Sequence, residues 1–70
     1  MSLEPLELGC LLVSERRRLM ELAAELAPSP EEADAAVCRC LRTVWLGQAD
    51  IHSRIHLIAK LYAQLGAELA

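Results

Sequence analysis

Apolar residues recur along most of this chain at intervals of three and four, the spacing of one face of an α-helix. No stretch alternates with period two for long enough to suggest a strand. The sharpest break is Ala27-Pro28-Ser29-Pro30-Glu31-Glu32. The two prolines force the preceding backbone out of helix, so one helix ends near Leu26. Ser29 can cap the next helix, Pro30 suits its first position, and Glu32 completes a capping box with Ser29. From Pro30 onward, Ala33, Val37, Cys40, Leu41, Val44 and Trp45 line one face, and Gly47 is a plausible stop.

The pattern then resumes. Asp50 offers a cap, and Ile51, Ile55, Ile58, Tyr62, Leu65 and Leu69 alternate steps of four and three as a heptad stripe, which Leu57 and Leu61 widen on one flank. The second and third segments read either as two helices parted at Gly47 or as one kinked helix. In the first segment, Leu12, Leu19, Leu22, Ala23 and Leu26 form a stripe that the charged run Ser14-Glu15-Arg16-Arg17-Arg18 interrupts. Leu3 to Val13 reads either as part of that helix or as a separate short one with Pro5 in its first turn. The expectation is an all-α fold, a small three-helix bundle or helical hairpin, with helices over about 5–26, 30–46 and 50–68 in one domain spanning 1–70.

Size makes this pattern informative. Seventy residues sit near the lower limit for a self-sufficient core, yet 54% of them are apolar. So small a domain cannot hide that many apolar side chains, and Leu3, Leu6, Leu8, Leu11 and Leu12 add to the surplus at one end. The expected destination of the surplus is another helical protein or a second copy, as a homodimer or an obligate complex. The residues assigned to that contact are Val37, Leu41, Val44, Trp45, Ile51, Ile55, Ile58, Tyr62 and Leu65. Trp45, the single tryptophan, reads first as core and second as an interface anchor.

Charge and chemistry narrow the classes. Ten acids against seven bases give a net charge of −3, the wrong sign for a phosphate-binding surface, so no nucleic-acid partner is expected. The one basic cluster, Arg16-Arg17-Arg18, has Glu15, Glu21 and Glu25 close by and reads as a solvated helix face. The early apolar run Cys10-Leu11-Leu12-Val13 is too short for a signal peptide or a membrane span. Three cysteines form no disulfide framework, and Cys38 and Cys40 point apart on a helix, which fits a reducing cytoplasm. His52 and His56 have the i, i+4 spacing of a metal clamp but lack a third ligand nearby. Ser14 has no nucleophile motif around it, and the glycines are too far apart for a phosphate loop. No enzymatic activity, cofactor, metal or small-molecule substrate is expected.

The segment Leu22 to Trp45 resembles the polymerase-binding region of extracytoplasmic-function sigma factors. Leu22, Ala23, Leu26, Pro30, Ala33, Val37, Leu41 and Trp45 stand in that family's register without a gap, and Ile58-Ala59-Lys60 looks like its next apolar helix. The chain keeps Asp34 but has Ala35 and Cys38 where the family's polymerase-contacting helix carries a second acid and a Gln. The link after Trp45 is short, and the third helix lacks the Arg and Asn that would meet DNA. The resemblance therefore implies a sigma-like decoy, one that regulates transcription by occupying an anti-sigma factor or similar partner. Short acidic helical chains of this length also resemble the small co-chaperones of type III secretion systems, which shield an aggregation-prone subunit. That is the alternative reading.

Overall fold

A computed structural model describes residues 4–70 of the chain. Three helices, α1 (Pro5–Leu26), α2 (Pro30–Leu46) and α3 (Arg54–Leu69), pack as a compact bundle, with a short 3-10 turn over Gln48–Asp50. Among the described residues there is no strand, and no helix is long and apolar enough to cross a membrane.

The α1–α2 corner forms as its residues dictate. The backbone at Ala27 is extended, with its N–H still donating to the Ala23 carbonyl at 2.8 Å. Ser29 is the cap of α2, and its hydroxyl accepts from the Glu32 N–H at 3.2 Å with Pro30 opening the helix. Leu3 lies outside the described residues. From Pro5 onward α1 runs unbroken, so no separate short helix precedes Val13. The charged run breaks the buried row of α1, which passes from Leu12 to Leu19 with nothing fully buried between, but it does not break the helix, and Arg16, Arg17 and Arg18 are all exposed.

The second corner differs from expectation, and the difference reorients α3. Asp50 caps nothing. The chain leaves α2 at Gly47, makes the 3-10 turn and extends through Ile51. Ser53 is the cap instead, its hydroxyl accepting from the His56 N–H at 3.1 Å. Two separate helices result, not one kinked helix. Ile51 thus lies outside α3 yet is fully buried. The heptad stripe forms only part of the buried seam: its Leu65 joins the flanking Leu57 and Leu61 on the core side of α3, Tyr62 and Leu69 pack half-buried against them, and Ile55 is 82% exposed. Residues 55 and 57 are two apart, about 200° around a helix, so both cannot face inward. Moving the helix start past Ile51 selects the leucine row.

The core is otherwise continuous. Leu8, Leu12, Leu19 and Ala23 of α1 meet Ala33, Ala36, Val37, Cys40 and Val44 of α2, and the α3 leucines and Ile51 complete it. The small side chains Ala23, Ala33 and Ala36 are all at most 1% exposed, which lets α1 and α2 approach closely near their corner. No charged or polar residue is buried in this core.

Candidate protein-docking surface

A helix has room for a second stripe, and α1 carries one. Leu6, Gly9, Cys10 and Val13 fall at intervals of three and four, but offset from Leu8 and Leu12, so they point away from the core. With Pro5 and the flank of Trp45 they line an open apolar groove along the first half of α1. Leu6 is 80% and Val13 74% exposed, and no charged side chain lines the groove. Gly9 forms its floor; a Cβ placed there would meet nothing within 4 Å. Leu46, next to Trp45, is also exposed.

A smaller apolar strip lies on α3, where Ile55 and Ile58 are one turn apart and both exposed, with the half-buried Tyr62 a further turn along. The nine residues assigned from sequence to partner contact divide accordingly. Val37, Val44, Ile51 and Leu65 are inside the core and face no outside molecule in this fold. Leu41 and Tyr62 are half-buried against it. Trp45, Ile55 and Ile58 are on the surface, with Trp45 at the edge of the groove instead of inside the core.

The groove residues Leu6, Gly9, Cys10 and Val13 were not singled out by sequence reasoning as a group. Their signal was present in the surplus of leucines near the N-terminus. Two stripes on one helix compete for the core, and only packing decides which is covered.

Polar chemistry elsewhere ties the bundle together. Arg39 of α2 donates from Nε to Oε2 of Glu68 on α3 at 2.7 Å, and Gln64 donates to the other carboxylate oxygen at 3.0 Å. These two hydrogen bonds, the guanidinium's first, hold the Glu68 carboxyl below the ordinary glutamate range. The buried Cys40 thiol is pushed up to about 11 by burial and, secondarily, by the Glu68 carboxylate. Arg17 and Arg18 are met within α1 by Glu21 and Glu15 at 3.5 and 3.8 Å.

His52 and His56 are not on one helix face, since His52 precedes α3. Their rings nevertheless stack with centroids 6.0 Å apart, and the His52 N–H donates to His56 Nδ1 at 3.4 Å. One ring nitrogen is thereby engaged in fastening the start of α3. Among the described residues no group of three His, Cys, Asp or Glu side chains converges as a metal site would require.

Set beside known proteins, the chain stands apart: no family model, no curated protein and no solved structure matches it.

Proposed function

We propose that this chain is a non-enzymatic helical module whose work is to bind another protein. The observation that carries this reading is the groove. Isolated apolar residues on a surface are ordinary, but Leu6, Val13 and Trp45 cluster around a glycine floor, outside a core that is already complete. Concave apolar lining without charged groups suits the apolar face of another helix. The strip at Ile55 and Ile58 adds a second, separate contact face.

The partner class follows from the resemblance to sigma factors. Under this reading the chain is a decoy whose helices engage a regulator such as an anti-sigma factor. Asp34 and Cys38 lie exposed on the outer face of α2, where the family meets polymerase. The substitution of cysteine for glutamine there suits a protein that keeps the shape and drops the polymerase contact.

Capture from the native host with tagged wild-type protein, followed by mass spectrometry, tests the proposal when run beside two variants, Leu6→Glu with Val13→Glu and Ile55→Glu with Ile58→Glu. The expected result is a specific protein retained by wild type and lost from at least one variant that keeps its helical content. An anti-sigma factor as that protein supports the decoy role. A secretion needle subunit transfers the assignment to a co-chaperone, and identical capture by all three proteins overturns the docking role of both faces.

A further inference from the structure

We infer that α1 is built to open: residues 5–14 detach from the bundle as a unit, hinged at Ser14 and Glu15, while the rest of the helix stays packed. The inference concerns motion within the chain and stands whether or not the groove is a docking surface.

The hinge is a defect in the buried row of α1. Leu8, Leu12, Leu19 and Ala23 form that row, and helical spacing places residue 15 on it, three after Leu12 and four before Leu19. Glu15 fills this place with a carboxylate. Its side chain is 13% exposed, and Oε2 is fully covered with no hydrogen-bond partner. Among the described residues no other buried or half-buried side chain holds such an atom. Arg18 approaches the other oxygen at 3.8 Å, but from a side chain that is 73% exposed, so water screens the contact. A covered carboxylate oxygen without a donor opposes the closed state, and moving it into water removes the penalty. At the same point the Ser14 hydroxyl donates to the Cys10 carbonyl at 2.9 Å, a back-bond that weakens and bends the turn it sits on.

The segment before the hinge is held lightly. Leu8 and Leu12 are its fully buried side chains. The other two α-helices each begin on a serine whose hydroxyl accepts from a helix N–H, whereas Glu4 at the start of α1 makes no side-chain cap. Gly9 sits mid-helix with open space where a Cβ would go, so it costs helix stability without easing any packing. After the hinge, Leu19 and Ala23 continue the row, Met20 and Leu22 pack beside it, and the corner at Pro28 and Pro30 ties the helix end to α2. Opening uncovers Leu8 and Leu12 with the part of the core they pack on, and it parts Leu6, Gly9, Cys10 and Val13 from Trp45. The groove therefore exists only while the segment is closed, and any helix seated in it holds α1 shut.

Native-state hydrogen exchange of the full chain at neutral pH, read amide by amide by NMR, tests the opening. In wild type the amides of residues 9–14 are expected to share one protection factor, about a hundredfold below those of Leu61 and Leu65 in α3. Glu15→Met puts an apolar side chain of similar length into the row and is expected to raise protection at residues 9–14 about tenfold. Glu15→Gln, which keeps the shape and removes the charge, should raise it by less. Leu65→Val trims the core outside the moving segment. It is expected to lower protection in α3 while leaving residues 9–14 unchanged, because that side chain stays packed when the segment opens. Protection at residues 9–14 equal to that of α3 overturns the inference. So does Glu15→Met leaving those amides unchanged, or Leu65→Val lowering them in step with α3.

Discussion

The Cys40 thiol donates to the carbonyl oxygen of Leu61 across 3.1 Å, joining α2 to α3 inside a core that holds no charged or polar residue. Cys10 and Cys38, by contrast, are exposed. Because the thiolate is the reactive form, burial and a raised pKa both protect Cys40. Iodoacetamide at neutral pH is expected to modify Cys10 and Cys38 of the native protein and to reach Cys40 only in denaturant. Intact mass before and after denaturation checks this, and rapid native labelling of Cys40 would contradict the packing described.

The rotation of α3 predicts a contrast between neighbours. Leu57 is fully buried and Ile55 is 82% exposed. Leu57→Ala is expected to cost about 2–5 kcal/mol through lost burial and the cavity left behind, whereas Ile55→Ala should stay within about 0.5 kcal/mol. Urea unfolding of the two variants measures both. Equal losses would restore the heptad stripe as the buried face.

Two serine caps start two helices. Ser29→Ala and Ser53→Ala each remove an acceptor for an otherwise unpaired helix-end N–H, that of Glu32 and that of His56. Each is expected to lower stability by about 1 kcal/mol. Replacement by Asp, which also accepts at this position, should recover most of the loss in thermal unfolding. An unchanged melting midpoint in either alanine variant removes that cap from the account.

The Arg39–Glu68 contact carries a pH signature. The folded value of Glu68 lies below its ordinary 4.5. A depressed carboxylate contributes stability that is fully present above the unfolded value and is lost as pH falls through the lower folded one. Wild type should therefore melt above Glu68→Gln at neutral pH, and the two should converge as the solution is acidified below pH 4.5. The neutral-pH advantage should also shrink with added salt, since the guanidinium is half exposed. A gap that stays constant down to acid pH would assign the effect to packing of the side chain.

The α1–α2 corner was legible because its signals are local: two prolines, a serine and a glutamate act within six residues. Helix identity was legible for the same reason. The rotation of α3 was not, because Ile55 and Leu57 are equally apolar and the choice rests on Ile51 being drawn out of the helix into the core. Asp50 and Ser53 are both acceptable caps, and the three-residue shift from one to the other resets which row faces inward. The groove was half legible. Too many leucines near one end signalled an uncovered surface, but Leu6 and Leu8 could be told apart only by where α2 and α3 lie.

Successive helices are joined by short links, Ala27–Ser29 and Gly47–Ser53, and each packs most heavily on its neighbour in sequence. Chains with such local contacts fold in roughly microseconds to milliseconds. Encounter with any other molecule at low concentration is far slower, so each chain completes its own bundle first. Any surface the chain presents is therefore offered by a bundle that is already finished.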